Sequence, residues 1–294
     1  THSWLAGQRS DLFRRLGDLP RAIGQARLST SGFYRRVAQR LEQAAPEARH
    51  HMLPVGFVRQ HHMTCAPATL SALSRYWTRP ADHLDLAEAI CYDGTPNHSQ
   101  RRWATDHGWH VREFTATWDS ARALLDAGIP FTLATVHPGS SHLQAAIGYD
   151  EARGTLLIRD PYERVHGEFA EEPFFESYRS TGPRGMAMVP MQERARLDAI
   201  ALPEAALHDL FHEVQDALNA HERARAVAKC AELEAAAPGH RLAIGARRSL
   251  ASYDGDTPAH LEATEALLAL YPDDVNLRLS RADALNQVAT RETY

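Results

Sequence analysis

Apolar positions along the chain change period more than once, and each change marks a different kind of element. Over residues 1–50, Leu12, Phe13, Leu16, Leu19 and Ile23, then Tyr34, Val37 and Leu41, recur at helical spacing among arginines. That pattern predicts two or three short amphipathic helices, the last closed by Pro46. Residues 51–60 lose the period, and Pro54, Val55, Gly56, Phe57 and Val58 predict an extended approach segment. Helical spacing resumes at Leu70, Leu73 and Trp77, with Pro67 in the first turn, where a missing N–H costs nothing. A helix is therefore predicted to start at Cys65.

Two further helices are predicted, from Pro80 to Cys91 and from Gln100 to Gly108, the second closed by its glycine. His110 to Phe114 suits a strand, and Ser120 to Ala127 a helix ended at Gly128. Strand-like runs follow at Ile129 to Val136, Leu143 to Tyr149 and Thr155 to Ile158, separated by turn signals at Pro138-Gly139 and Gly154. Met186 to Met191 closes the set. Helices first and an antiparallel sheet second predict an α+β arrangement.

From about Asp198 the texture is helical again, rich in Ala, Leu, Glu and Arg. The segment around Leu233 ending at Pro238 is echoed around Leu267 ending at Pro272, 34 residues later. That is the tetratricopeptide period, in which stacked helix pairs bury a shared core; a plain helical bundle is the alternative. The chain thus divides into a helical segment 1–50, a mixed domain 51–195 and a tetratricopeptide-like helical domain 196–294. It starts at Thr1 and stops at Tyr294 inside a helical pattern, as a piece of a longer protein would.

Charge narrows the function classes. The chain carries 32 basic and 37 acidic residues, a net charge of −5, without long runs of either sign. This excludes a nucleic-acid footprint and a polybasic membrane patch. No apolar stretch approaches the ~18 residues of a membrane span, and no signal peptide opens the sequence. A soluble cytoplasmic protein is expected. Cys65, Cys91 and Cys230 are odd in number and widely spaced, which fits neither a disulfide framework nor a four-cysteine zinc site. The adjacent pairs His50-His51 and His61-His62 do not resemble metal sites, although His61 and His62 could tune Cys65. His208 and His212 share a helix face without a third ligand, so no metal is expected.

Against this background the histidines and cysteines support nucleophilic chemistry. A thiol at a helix N-terminus is drawn toward thiolate by the free amides and the helix dipole. It needs a base, a group that orients the base and donors for an oxyanion. His142 begins one predicted strand and Asp160 ends the next, so an antiparallel pair brings imidazole and carboxylate together. Gln60, five positions before Cys65, and the Cys65 amide could supply oxyanion donors. Cys91 and Cys230 have no base nearby and are expected to be buried and inert. Trp103, Trp109 and Trp118 are expected to serve as packing residues.

The succession Gln60, Cys65-Ala66-Pro67-Ala68-Thr69-Leu70, Ile129-Pro130, His142, Ile147-Gly148-Tyr149-Asp150 and Arg159-Asp160-Pro161 resembles the papain-like cysteine peptidases of the bacteriocin-processing type. These cut double-glycine leader peptides. The resemblance spans about residues 55–192 and implies a papain-like fold with Cys65 as nucleophile, His142 as base and acid, Asp160 as orienter and Gln60 as oxyanion donor. Ala66 stands where the family usually has glycine, and the Gln60 to Cys65 interval is one residue shorter. The implied activity is cleavage of a peptide or protein substrate without cofactor, with the helical repeats recruiting substrate or a protein partner. The alternatives are an inactive peptide-binding module, favoured by the Gln60 spacing, and a thioester-forming transferase or deamidase.

Overall fold

The N-terminal period resolves into three helices, α1 (His2–Arg15), α2 (Leu19–Leu28) and α3 (Gly32–Gln43), in a computed structural model that describes residues 2–292. Asp18 starts α2 by accepting the Arg21 amide at 3.1 Å, with Pro20 in the first turn. Val37 and Leu41 of α3 pack on Ala152, so these helices share a small core with the far end of the sheet. Arg153, itself buried, reinforces that contact by pairing with Asp11 of α1 and with Glu168, both at 2.9 Å.

Next come β1 (His50–Met52), α4 (Cys65–Tyr76), α5 (His83–Ile90), α6 (Asn97–Asp106), β2 (Trp109–Thr115) and α7 (Trp118–Asp126). The chain continues through β3 (Phe131–His137), β4 (Ser140–Asp150), β5 (Thr155–Arg159), β6 (Gly167–Ala170), α8 (Glu171–Ser177) and β7 (Arg184–Pro190). All seven strands pair antiparallel, in the order β2-β7-β3-β4-β5-β6, with β1 beside the end of β4. The fold is α+β, a helix and antiparallel-sheet body flanked by helical segments.

β4 is the spine of the sheet. On one side it pairs with β3 up to Ala146, and where β3 ends β1 takes over, His51 opposite Tyr149. A bulge falls at this handover, between Ala146 and Gly148. Glycine is required there, because a Cβ on Gly148 would lie 2.2 Å from the His51 carbonyl oxygen. α4 lies across β3 and β4 with every residue from Ala66 to Ser74 buried. Leu70 and Leu73 enter the same core as Phe131, Leu133 and Ile147, and Trp103 and Trp109 are buried in it too.

Beyond β7 a single 3-10 turn leads into α9 (Arg194–Asp198) and then α10 (Ala205–Asn219), α11 (Arg223–Ala236), α12 (Arg241–Asp254), α13 (Thr257–Leu270) and α14 (Val275–Glu292). α11 and α13 end 34 residues apart, each two residues before a proline. α10 also packs on β2, which fastens this helical segment to the sheet. Among the described residues, no helix is long and apolar enough to cross a membrane.

Four elements escape the sequence pattern, α9 among them because five residues are too few for a helical period. β1 has three residues, too few for an alternation to register. β6 is a half-exposed edge strand of four residues. α8 follows it with Phe174 as its buried residue.

Candidate active site

The site begins with the loop that delivers Cys65. The Gln60 amide donates to the Pro161 carbonyl at 2.9 Å, tying this loop to the segment that carries Asp160. The Thr64 hydroxyl accepts the His61 amide at 2.8 Å and contacts His83 Nε2 at 2.9 Å. His61 stacks on His83, ring centroids 5.3 Å apart. Burial and the neighbouring His61 push the His83 pKa down, so a neutral imidazole anchors the loop. Met63 sits at φ 59°, a left-handed conformation that costs a non-glycine residue roughly 1–2 kcal/mol. The chain then turns into α4 with Cys65 as its first residue, where the amides have no intrahelical acceptor.

β4 supplies the base. The hairpin between β3 and β4 uses only Pro138 and Gly139, the latter at φ 72°, so His142 is the third residue of the strand rather than its first. Continuing the register Ala145 to Arg159 by one residue sets Asp160 opposite Gln144, on the face that His142 shares. His142 Nε2 lies 3.0 and 3.1 Å from the two Asp160 carboxylate oxygens. Its other ring nitrogen is left for Cys65, whose thiol lies near enough for each group to shift the other's pKa. Asp160 is held in turn by the Tyr162 amide, which donates to it at 2.7 Å.

Leu143 ties the strand to the start of the helix through its backbone. The Leu143 amide points at the Cys65 sulfur, and the Leu143 carbonyl accepts the Thr69 hydroxyl at 3.0 Å. Cys65 also packs with Ala66, Ala134 and Leu143 in a small apolar cluster. The sequence offered no sign of the Thr69 contact, which spans 74 residues.

These contacts set the charge state. Burial pushes the Cys65 thiol up, but the hydrogen bond from His142, the Leu143 and Ala66 amides and the His142 charge together bring it below its ordinary value. For His142, burial acts downward, while hydrogen bonds to Asp160 and Cys65 and the charges of both raise it to about 9. Burial raises the Asp160 carboxyl, and His142 with the Tyr162 and Glu163 amides lowers it further, below the usual range. All three net shifts run in the direction of a thiolate beside an imidazolium with an ionised partner carboxylate. His142 and Asp160 keep 26% and 25% of their side-chain surface open, so the pair borders solvent.

Gln60 is half-buried, and its side-chain Oε1 is buried without a hydrogen-bond partner. Cys230 is buried, its thiol raised to about 11 by that burial. Cys91 corrects the sequence expectation. It is half-exposed, and its thiol donates to the Met63 carbonyl at 3.3 Å because α5 ends against the loop before Cys65. Trp118 is only partly buried, at the margin of the core. His208 is buried against the Thr115 hydroxyl at 3.1 Å. Among the described residues no cluster of His, Cys, Asp and Glu is arranged to hold a metal ion.

Residues 52–186 match the model of the Peptidase_C39 like family, a stretch that contains Gln60, Cys65, His142 and Asp160. No curated protein matches the chain. Among solved structures it is similar to the peptidase domain of Streptococcus ComA, a bi-functional ABC transporter involved in a quorum sensing pathway. That match has 18% identity and a TM-score of 0.40, over 47% of this chain and 99% of the other.

Proposed function

We propose that the chain is a cysteine peptidase in which Cys65, His142 and Asp160 act as a triad. The observation that carries this reading is the His142 imidazole between the Asp160 carboxylate and the Cys65 thiol, on a chain whose residues 52–186 match a peptidase family. The Cys65 sulfur attacks a peptide carbonyl, and the developing oxyanion takes hydrogen bonds from the Cys65 amide and the Gln60 side chain. As the tetrahedral adduct collapses, His142 gives its proton to the leaving amine. A water molecule then attacks the thioester, losing its proton to His142, and the acid product leaves with the thiolate restored. Asp160 holds the ring with Nε2 occupied and stabilises the imidazolium.

The substrate class is a peptide or protein, and a double-glycine leader is the form that the family likeness favours. Residues 51–195 form the catalytic unit in this proposal. The helices from α10 onward act as a tetratricopeptide-like array that recruits substrate or a partner protein, supported by the 34-residue recurrence of their ends.

Labelling with a peptide-like thiol-reactive probe tests the proposal. Rapid labelling at neutral pH, abolished in Cys65→Ala and slowed at least tenfold in His142→Ala, is the expected result. Labelling that rises only near the free-thiol pKa of ~8.5 and ignores His142 would instead make the shell a peptide-binding module.

A further inference from the structure

A cavity of about 350 Å³ lies between the sheet and the C-terminal helices, and Cys65, His142 and Asp160 do not line it. Its floor is Glu113 of β2, Ala134 and Val136 of β3 and Arg184 of β7; its roof comes from α10, α12, α13 and α14. The volume suits a small ligand or a few peptide residues.

Charge on the lining is uneven. Arg184 is committed to Glu113 at 2.5 Å, and Arg241 to Glu204 at 2.6 Å. Arg248 forms no hydrogen bond or ion pair among the described residues, although it is half-buried. Burial pulls its guanidinium below the usual range, and Asp274 is the acid that opposes this. Asp274 is occupied elsewhere, by the Ser180 hydroxyl and the Leu277 amide. A second orphan faces the same space, since His212 Nδ1 is buried without a partner. Buried polar atoms without partners are uncommon in folded proteins, and His212 Nδ1 is one, on the lining that also holds the unpaired Arg248. Phe211, Leu242, Leu267 and Leu277 line the rest with apolar surface.

We propose that this cavity binds a carboxylate carried on an apolar stretch of the peptide substrate, the carboxylate pairing with Arg248 and taking a hydrogen bond from His212. The link to substrate rests on the peptidase reading and on Ala134, which lines the cavity and also packs in the cluster with Cys65 and Leu143. Ala134 is thus common to both places. The carboxylate then serves as an anchor remote from the cleaved bond, and substrates with an acidic residue or acidic end are selected.

Calorimetric titration of the full chain carrying Cys65→Ala tests binding without cleavage. The probes are N-acetyl-Leu-Ala-Glu-Leu-amide, the same peptide with glutamine for glutamate, and N-acetyl-Leu-Ala-Leu as the free acid. The expected result is saturable binding of at least one charged probe. The glutamine peptide binds at least tenfold more weakly, and Arg248→Gln removes the difference. Preference for the first or the third probe separates a side-chain from a terminal carboxylate. Where Arg248→Gln fails to fold, Arg248→Lys, which keeps the charge without the fork, is expected to weaken both charged probes. Absence of saturable binding, binding of both charged probes no tighter than that of the glutamine peptide, or indifference to both Arg248 variants overturns the proposal. Thiol labelling of Cys65 in the wild type is read separately. Lost labelling with carboxylate binding intact removes the peptidase reading and its link to substrate, but not the cavity site.

Discussion

The Thr69 hydroxyl donates to the Leu143 carbonyl at 3.0 Å, one helical turn beyond Cys65 and one residue beyond His142. Since the Leu143 amide also acts on the Cys65 sulfur, a single residue of β4 holds α4 through both its backbone polar groups. The distance from thiol to imidazole therefore depends on Thr69, which touches neither. Thr69→Val removes the donor from a fully buried site, with an expected stability loss of about 1–2 kcal/mol. It should also lower the alkylation rate of Cys65 about tenfold, because the helix start is free to drift from His142. Thr69→Ser restores the bond and should recover the rate. An effect on stability alone, with an unchanged pH profile of alkylation, would assign Thr69 to packing.

His142 has its pKa raised to about 9, and Cys65 is lowered. Peptide cleavage needs the thiolate and the imidazolium together, so the rate should rise as the thiol ionises on the acid side and fall as His142 loses its proton near pH 9. Asp160→Asn removes the carboxylate that holds His142 up. The alkaline limb should then move toward the ordinary histidine value of ~6.5 and the acid limb should move up, narrowing the window from both sides. The maximal rate should drop on the order of 10²–10⁴-fold. An Asp160→Asn profile that merely scales down, with both limbs in place, would show that the carboxylate does not act through the ring.

Much of this arrangement was legible because the signals are local. Pro67 and the Leu70, Leu73, Trp77 spacing mark where a helix must start, and that start is Cys65. The short Glu151–Gly154 turn forces β5 to run back beside β4, so a histidine near one strand's beginning and an aspartate past the other's end have to meet. The illegible parts are long-range. Nothing near Thr69 in the sequence announces Leu143, and nothing near His83 announces that it stacks on His61 and steadies Thr64. The half-exposed place of Cys91 is hidden for the same reason, since the end of α5 meets the Met63 loop only in the folded chain. The Arg248 cavity exists only because helices far along the chain close over the sheet.

Gly148 tests the handover from β3 to β1. A methyl group there meets the His51 backbone 2.2 Å away, and backbone cannot swing aside as a side-chain tip can. Gly148→Ala should therefore detach β1 and destabilise the fold by roughly 2–4 kcal/mol, in the range of other severe core faults. β1 leads directly into the segment ending at Gln60, so limited proteolysis should open new cuts between residues 50 and 60. Unchanged proteolysis with full thermal stability would mean that β1 is not fastened as its register implies.

Glu113 and Arg184 form a buried pair at 2.5 Å, with both side chains less than a tenth exposed. Burial pushes the Glu113 carboxyl up, but the Arg184 charge and hydrogen bond bring it below its usual value. A carboxyl depressed by folding contributes stability above its unfolded pKa of ~4.3, and that contribution is lost as the pH falls through the lower folded value. Glu113→Gln removes the charge and leaves the Arg184 guanidinium buried without its acid, at an expected cost of about 3 kcal/mol at pH 7. Urea unfolding of wild type and variant should show this gap at neutral pH and its closure as the pH falls through the depressed folded value, where wild-type Glu113 also becomes neutral. The gap closes because the wild type weakens, while the variant lacks this acid-dependent loss. A gap that stayed constant across that interval would mean that Glu113 is not ionised in the folded protein, and that Arg184 is held by Asn97 and Gln100 alone.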